Sequence, residues 1–218
     1  MHHKGDKTMK KLLLFGVLTL AFALGSAEGD AQDKAGPQDN MPPTGFKLLF
    51  NGKDLDGWQA NDNTKKHWVV VDGILTYDGK EKNLKTVKDY RHFIMHVDWK
   101  INPKGDSGVY LRGRPQIQIW DDPKEGSGGV WNDIDPKTGK RNMPTKIMDK
   151  KTGEWNHFEI TLEKGDLATV IFNGEKVVDK FLMKGGGKEL PKTGPIELQH
   201  HGDPLWFKNI YVKELPDE

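Results

Sequence analysis

The nine residues from Phe93 to Ile101, FIMHVDWKI, alternate strictly between apolar and polar side chains. Successive side chains of a β-strand point to opposite faces of its sheet, so this two-residue period predicts a strand with one buried face. The same period recurs in shorter segments, such as FEITL at 158–162 and PIELQ at 195–199. A helical stripe of apolar side chains is not found in any window of about 11 residues or more. The chain beyond its N-terminal region is therefore predicted to consist mainly of strands.

Turn signals separate these segments. Asn173-Gly174 lies between two apolar arms in VIFNGEKVV, and Asn51-Gly52 follows KLLF. Asn-Gly is the preferred pair for a type I′ hairpin turn because both residues tolerate positive φ. Antiparallel strands without helices must bury their apolar faces against each other, which predicts an all-β, two-sheet sandwich. Roughly a dozen strands over ~170 residues favour a jelly roll over a smaller immunoglobulin-like domain.

The N-terminus is typical of a secretory signal peptide, predicted here for residues 1–27. Lys10 and Lys11 precede the apolar run LLLFGVLTLAFAL at 12–24, and small residues follow at 25–27. A comfortable membrane span needs about 20 apolar residues, so an uncleaved anchor is the less favoured alternative. The mature chain is therefore expected to lack a membrane span and to be secreted or periplasmic.

Residues 28–44 are polar, rich in Gly and Pro and without a period, which predicts a disordered linker before a single sandwich domain at 45–218. The chain contains no cysteine, which excludes disulfides, a thiol nucleophile and cysteine-ligated zinc. Its 33 basic and 32 acidic residues give a formal charge of +1 and form no long basic block, so nucleic acid is not an expected partner. The oligomeric state is not predicted.

The stretch SGVYLRGRPQIQIWD, Ser107 to Asp121, predicts two strands with an unusual polar face. Alternate positions are aliphatic, and the others carry amides, a guanidinium and aromatic rings: Tyr110, Arg112, Gln116, Gln118 and Trp120. Water-exposed sheet faces usually carry Lys, Glu and Thr. Flat rings and amides suit a sugar, because the rings pack on its C–H faces and the amides satisfy its hydroxyls.

The segment PIELQHHGD adds three polar side chains of the same parity, Glu197, Gln199 and His201. His96 and Asp98 are further candidates from another strand. Asp121 breaks the alternation, and a bulge after Trp120 would return it to the polar face. These groups are expected to gather into one sugar-sized hollow.

The connection at 122–154 is nearly without strand pattern, and loops of this length are usually functional or disordered. It begins directly after Trp120, so it is expected to fold over the polar face and to contribute Trp131. A glycosidase needs two carboxylates flanking the bond, whereas Gln116 and Gln118 are amides. His200, His201 and Asp203 could hold a metal ion, although no further ligand at a suitable spacing is obvious, so a divalent metal ion is left open as a cofactor.

Eight blocks together resemble a bacterial domain family labelled 3-keto-disaccharide hydrolase, over about residues 45–215. They follow one another as GFKLLFNGKDLDGW, WVVVDGILTY, DYRHFIMHVDWKI, DSGVYLRG, QIQIWD, GEWNHFEITL, FNGEKVV and GPIELQHHGDPLWFKNIYVKEL. The resemblance implies a concanavalin A-like jelly roll related to bacterial β-glucanases. It also implies an exported enzyme that cleaves small saccharides or glycosides oxidised to a ketone at C3.

The implied chemistry needs one general base and one group that stabilises the negative charge on an enolate oxygen. A C3 ketone acidifies the proton on C2, and its removal gives an enolate that expels the C1 substituent before water adds. His201 is the first candidate for the base, with Glu197 and Asp121 as alternatives. Arg112 is expected to hold the ketone or enolate oxygen. Binding is assigned to amides and rings, namely Tyr110, Gln116, Gln118, Trp120, Gln199 and Trp131.

Three positions depart from the family pattern. It usually has Glu where this chain has Gln116, Asn where it has Asp106 and Arg where it has Lys208. If that glutamate is catalytic in relatives, this chain lacks it. A non-catalytic carbohydrate-binding module is therefore the alternative function.

Overall fold

The computed structural model describes Met1 and residues 34–134, 139 and 141–217. The predicted signal peptide beyond Met1 and the first part of the predicted linker lie outside the described residues. Among the residues that are described, no helix has the length and apolar character needed to cross a membrane.

The described residues form fourteen strands and two short helices. The strands are β1 (Lys47–Leu48), β2 (Trp68–Val71), β3 (Ile74–Tyr77), β4 (Leu84–Tyr90), β5 (Phe93–Ile101), β6 (Asp106–Tyr110), β7 (Gln116–Trp120), β8 (Val130–Ile134), β9 (Arg141–Asn142), β10 (Asn156–Glu163), β11 (Leu167–Phe172), β12 (Glu175–Leu182), β13 (Gly194–Leu198) and β14 (Leu205–Glu214). The helices are α1 (Thr64–His67) and a 3₁₀ turn (Gly185–Gly187).

The strands build two antiparallel sheets, so the predicted all-β, two-sheet sandwich is confirmed. The larger sheet has eight strands in the order β12-β11-β10-β5-β14-β3-β2, with β1 paired to β14. The smaller sheet has six strands in the order β4-β13-β6-β7-β8-β9.

The core lies between the sheets, and burial alternates along β5 as its sequence predicts. Trp99 of β5 packs its ring 5.4 Å from Phe158 and 5.8 Å from Phe172, measured between centroids. Ile117 and Ile119 of the smaller sheet are also fully buried in this core. Burial of apolar surface is the main favourable contribution to folding, and it fixes which face of each sheet points outward.

The Asn-Gly prediction at 173–174 is also confirmed. Asn173 has φ 49° and Gly174 has φ 85°, and the pair joins β11 to β12. Both residues therefore occupy the left-handed region that a type I′ turn requires.

The long connection differs from its prediction. It does not simply fold over the polar face, because β8 and β9 extend the smaller sheet beyond β7. Val130 is fully buried, but Asn132 has φ 64° and interrupts the alternation within β8. The two-residue period is lost at that point, which hides the strand from a reading of the sequence.

The described part of the predicted linker, 34–44, is ordered against the domain. The backbone N–H of Ala35 donates to the carbonyl of Asp72 at 2.9 Å, and that of Asn40 donates to Asn209 Oδ1 at 2.6 Å. The folded unit therefore begins before the predicted boundary at residue 45, because specific hydrogen bonds hold a segment whose composition alone favours disorder.

Candidate functional site

A row of polar and aromatic residues crosses the outer face of the smaller sheet. Lys85 of β4 is opposite Glu197 of β13, which is opposite Tyr110 of β6. Tyr110 is in turn opposite Gln116 of β7, which is opposite Trp131 of β8. Residues directly paired across antiparallel strands project to the same face, with Cβ atoms about 4.5–5.5 Å apart. The row therefore presents five adjacent side chains to one side.

Gly108 makes room at the centre of this face. It lies between Asp106 and Tyr110 on β6 and opposite Gln118 on β7. A Cβ atom at position 108 would lie 2.9 Å from the Cδ atom of Gln116. Glycine is needed here because the Gln116 side chain occupies the space that any larger residue would take.

Hydrogen bonds link the two buried amides to Asp106, whose carboxylate lies near an exposed imidazole. Gln116 Nε2 donates to Gln118 Oε1 at 2.8 Å, and Gln118 Nε2 donates to Asp106 Oδ1 at 2.9 Å. The other carboxylate oxygen of Asp106 lies 3.8 Å from His201 Nδ1. The two glutamines are each 2% exposed, whereas the His201 side chain is 57% exposed.

Burial shifts the titration of the groups at the centre of this face. Burial raises the pKa of Asp106, an effect that nearby His201 and the hydrogen bond from Gln118 oppose. Burial also raises the pKa of the Tyr110 phenol, and the carboxylates of Glu197 and Asp106 raise it further. The Tyr110 hydroxyl accepts a long hydrogen bond from Gln199 Nε2 at 3.4 Å. The phenol therefore keeps its proton at neutral pH and can donate it to a neighbouring oxygen.

Glu197 is held between a base and an amide. Its Oε1 atom lies 3.2 Å from Lys85 Nζ, and its Oε2 atom accepts a hydrogen bond from Asn83 Nδ2 at 3.0 Å. Glu197 is 6% exposed, so its charge is balanced by these two partners rather than by bulk water.

Two hollows border the residues of this face, and Asn83 contacts a lining residue of each. Asn83 Oδ1 accepts a hydrogen bond from the backbone of His200, while Asn83 Nδ2 reaches Glu197. The first hollow is about 740 Å³ and is lined by Gly79, Lys80, Glu81, Lys82, Gln199, His200, His201 and Gly202. The second is about 540 Å³ and is lined by Asn83, Lys85, Tyr110, Gly113, Arg114, Asn132, Ile134, Gly185, Lys188 and Glu197. Both volumes fall in the range of small-molecule sites.

Two amide oxygens at this face have no hydrogen-bond partner within the described structure. They are Gln116 Oε1 and Gln199 Oε1, and both atoms are buried. Buried acceptors are almost always satisfied in folded proteins, so each marks a position where a hydroxyl donor from water or a ligand would be stabilised.

The two predicted tryptophans meet at the β7–β8 side of the face. The rings of Trp120 and Trp131 pack edge to face with centroids 4.7 Å apart. The Arg141 guanidinium lies 3.8 Å from the Trp131 ring centroid. Trp120 Nε1 donates to the carbonyl of Gly126 at 2.6 Å, which fixes the orientation of this pair.

Arg112 does not join this face, contrary to the prediction. Its guanidinium donates to Asp166 Oδ1 at 2.6 Å and to the carbonyl of Lys192 at 3.1 Å, and its side chain is 1% exposed. The reason is local, because Arg112 has φ 54° and lies beyond the end of β6, where strand alternation has stopped. The residue ties the β6–β7 turn to the turn between β10 and β11 in the other sheet.

Asp121 is also placed differently from the prediction. Pairing of β6 with β7 has no register shift up to Trp120, and the N–H of Asp121 continues it by donating to the carbonyl of Gly105 at 3.0 Å, so the predicted bulge is not formed. Its Oδ2 atom accepts a hydrogen bond from the backbone of Lys104 at 2.8 Å and so caps the turn between β5 and β6.

His96 and Asp98 belong to the outer face of the larger sheet and do not contribute to the hollows. His96 pairs with Glu159 of β10, and Asp98 pairs with His157 of the same strand. The sequence period places them correctly on a polar face, but not on the polar face of the smaller sheet.

Three residues of the face were absent from the predicted site: Asn83, Lys85 and Asp106. Asp106 shares its parity with Gly108 and Tyr110, so extending the alternation of β6 backwards would have found it. Asn83 and Lys85 had no such signal, since only the pairing of β4 with β13 brings them to Glu197.

No three His, Asp or Glu side chains are grouped for metal binding anywhere in the described ranges 34–134 and 141–217. The divalent metal ion left open by the sequence stays a prediction.

Residues 45–213 match the model of a family described as the 3-keto-alpha-glucoside-1,2-lyase-like domain. The chain belongs to this family. The matched residues of this lyase-like domain include every strand of the smaller sheet and both hollows of its outer face.

Individual relatives agree with this assignment. A protein of Bacteroides thetaiotaomicron named 3-keto-disaccharide hydrolase is 24% identical over 239 residues, covering 78% of this chain and 79% of that protein. A crystal structure of a proposed glycosyl hydrolase from Parabacteroides distasonis has a TM-score of 0.64 and 25% identity, covering 82% of this chain and 100% of the other. A second one from the same organism has a TM-score of 0.62 and 28% identity, covering 78% and 99%. The lyase-like domain thus has relatives of similar length and fold.

Proposed function

We propose that this protein is an exported enzyme that cleaves 3-keto-glycosides, including 3-keto-disaccharides, in the paired hollows of the smaller sheet. The observation that carries the proposal is the family match over residues 45–213. It is supported by a relative named 3-keto-disaccharide hydrolase and by a face whose amides, rings and exposed His201 imidazole suit an oxidised sugar.

His201 is proposed as the base that removes the C2 proton. Histidine is the side chain whose ordinary pKa lies nearest to neutral pH, which suits general base catalysis. The Asp106 carboxylate lies on the Nδ1 side of the ring at 3.8 Å, which leaves Nε2 to receive the proton. The hydrogen bond from Gln118 in turn fixes the Asp106 carboxylate, which orients Asp106 beside the His201 ring.

Tyr110 is proposed to stabilise the enolate oxygen in place of Arg112. Its phenol remains protonated because burial raises its pKa. Its hydroxyl oxygen already accepts from Gln199, so its own hydrogen is available to donate. A preorganised donor aimed at a developing negative oxygen typically contributes about 10²- to 10³-fold to a rate.

The proposed reaction runs in two stages, an elimination through an enolate and then a hydration. The C2–H electrons form the C2=C3 enolate while the proton moves to His201. The enolate then re-forms the C3 carbonyl and expels the C1 oxygen substituent, which takes up a proton as the alcohol and leaves a C1=C2 double bond. Water adds its hydroxyl to C1 and its proton to C2, which gives the 3-keto sugar. The sum is hydrolysis, without any net oxidation or reduction.

An ordinary glycosidase mechanism fits this face less well. Two carboxylates of this face are Asp106 and Glu197, and Glu197 pairs with Tyr110, four residues along β6 from Asp106. The carboxylates bind different partners, whereas a glycosidase pair is held about 5.5 Å or 6.5–9.5 Å apart across one bond.

The test is turnover of a 3-keto-disaccharide beside its unoxidised parent, with and without added divalent metal ion. We expect release of the 3-keto monosaccharide only from the oxidised substrate, and incorporation of deuterium at C2 when the reaction is run in D₂O. Equal cleavage of the parent disaccharide, or no turnover under any of these conditions, would refute the proposal. Export is tested separately, by fractionating the producing cells and asking whether residues 1–27 have been removed.

A non-catalytic carbohydrate-binding module is the second candidate. It is favoured by the amide Gln116 at a position where the family pattern has a glutamate, because an amide cannot move protons. This alternative predicts saturable sugar binding that survives His201→Ala without any turnover by the unmodified protein.

A further inference from the structure

The 540 Å³ hollow carries an excess of positive charge. Three basic side chains and one carboxylate line it, and Lys85 is already paired with the carboxylate of Glu197 at 3.2 Å. Arg114 and Lys188 form no ion pair within the described parts of the chain. Two positive charges therefore lie at this hollow without an acidic partner.

This local excess differs from the rest of the molecule. The chain has 33 basic and 32 acidic residues, so its overall charge is close to zero. Arg114 is only partly exposed, and a partly desolvated guanidinium is more stable when an anion binds it. The charge of the hollow is therefore complementary to an anionic ligand.

The backbone holds Arg114 in place. The N–H of Arg114 donates to the carbonyl of Leu111 at 3.0 Å, and the N–H of Gly113 donates to the carbonyl of Pro195, also at 3.0 Å. The β6–β7 turn is thus tied to β13 on the other side of the hollow. A side chain on such a turn is presented from a fixed position, which lowers the cost of ordering it around a ligand.

The position of Arg114 relates the charge to the reaction. Strand β6 runs from Asp106, beside His201, to Tyr110, and the turn that follows carries Arg114. Tyr110 lines this hollow together with Arg114 and Lys188, so a saccharide whose C3 oxygen faces Tyr110 lies next to both basic side chains.

We propose that the substrate carries a negatively charged oxygen group, a carboxylate or a sulfate ester, which Arg114 and Lys188 bind. This inference rests on the proposed function and names its substrate class as acidic 3-keto-glycosides. The planar fork of arginine matches two oxygens of one anionic group, and the lysine adds a compact charge.

The experiment compares kcat/KM for three 3-keto-disaccharides that differ only in the charge of one sugar: neutral, uronic acid and sulfated. We expect the unmodified protein to prefer at least one acidic substrate by about 10-fold or more, and the preference to shrink as salt is raised. The uronic acid and sulfate arms show which anionic group is used. A neutral substrate turned over as fast as both acidic ones would overturn the inference.

Single substitutions test whether Arg114 and Lys188 cause the preference for acidic substrates. Arg114→Gln is expected to lower kcat/KM for the preferred acidic substrate by about 10-fold or more and to change that for the neutral one by less than ~2-fold. Lys188→Gln, at an exposed position, is expected to act in the same direction without risk to folding. Lys151→Gln, also exposed but outside both hollows, is the charge-matched control. Equal losses for both substrates in Arg114→Gln would contradict the inference.

Binding separates this inference from the proposed function. Calorimetry with unoxidised neutral, uronic acid and sulfated disaccharides needs no turnover. Arg114-dependent preference for an acidic disaccharide, without cleavage of any 3-keto substrate, would refute the proposed enzyme and support the acidic site. Cleavage of 3-keto substrates without any preference for acidic ones would support the proposed enzyme and refute the acidic site.

Discussion

The two sheets each present a polar outer face, and the faces differ in where their hydrogen-bonding groups find partners. On the larger sheet, His157 Nδ1 lies 2.5 Å from Asp98 Oδ1, and the other carboxylate oxygen of Asp98 accepts from Asn209 Nδ2 at 2.6 Å. Lys208 Nζ donates to Asp39 Oδ2 at 2.7 Å, so the N-terminal segment completes this network. The polar groups of this face are satisfied by one another.

The outer face of the smaller sheet has similar side chains, but some of their polar atoms lack internal hydrogen-bond partners. The amide oxygens of Gln116 and Gln199 are buried without partners, and His201 points into water beside a hollow of about 740 Å³. The comparison teaches that histidines, carboxylates and aromatic rings do not by themselves mark a site. A candidate site arises where the fold leaves such groups without internal partners and next to space for a ligand.

The largest expected effect is the loss of the proposed base. His201→Ala should lower kcat on a 3-keto-disaccharide by about 10²- to 10⁴-fold, because proton transfer by a positioned side chain typically contributes that much. Its side chain is mostly exposed, so the melting temperature should hardly change. Steady-state kinetics and thermal unfolding measure the two effects.

His157→Ala on the larger sheet is the matched control. It removes a histidine that contacts a carboxylate, as His201 does, but outside the hollows. The kcat of His157→Ala should stay within ~2-fold of that of the unmodified protein, in contrast to the large loss expected for His201→Ala. If the two variants lose activity equally, the contrast between the faces is wrong.

The second effect concerns the enolate donor. Tyr110→Phe keeps the ring but removes the hydroxyl, and kcat should fall by about 10²-fold because one preorganised donor is lost. KM should change little, since the ring remains to contact the sugar. Unchanged kcat would remove Tyr110 from the proposed mechanism and leave it a binding role only.

The third effect is on stability and belongs to the larger sheet. Asn209 donates to Asp98 and Asp39, accepts from the backbone of Asn40, and has φ 53°. Asn209→Ala should lower the free energy of unfolding by about 2–3 kcal/mol, because it leaves partners unsatisfied and places alanine in a left-handed conformation. Denaturant unfolding measures this, with kcat per folded molecule expected to be unchanged. A similar loss of kcat would show that the two faces are coupled.

The smallest effect is a gain of stability at Asp106. Burial raises the pKa of this carboxyl, so its charged form is disfavoured in the folded protein and costs stability once the pH exceeds that raised value. Asp106→Asn should therefore raise the melting temperature by about 2 °C at pH 7, with the gain shrinking as the pH falls and the carboxyl becomes protonated. A gain that is the same at pH 4 and pH 7 would show that charge is not its cause.

Strand alternation predicted much of the site correctly. Tyr110, Gln116, Gln118 and Glu197 were placed on one face from their parity alone, and the register brings them together as adjacent side chains. The prediction worked because the period of a strand is strictly two and the core fixes which face is inside. It failed at Arg112, where a residue of positive φ ends the alternation.

Other members of the face were beyond sequence reasoning. Lys85 reaches Glu197 only because β4, distant in the chain, pairs with β13. Trp131 was suggested by its presence in a long connection, but its position depends on β8, whose irregular backbone hides the strand period. Local pattern carries no information about which distant strands become neighbours.

The sequence by itself determined that this protein would be a sandwich of strands with a polar, aromatic-rich face, because hydrophobic periodicity is a local property of the chain. Only the tertiary structure decided which of two polar faces would hold hollows, and which histidine would be paired internally and which left facing solvent. Those outcomes depend on strand order and on contacts between residues far apart in sequence, such as Asp39 with Lys208 and Asp106 with His201. The physical reason is that an unpaired buried group is costly, so partners are assigned by the whole fold and not by any one strand.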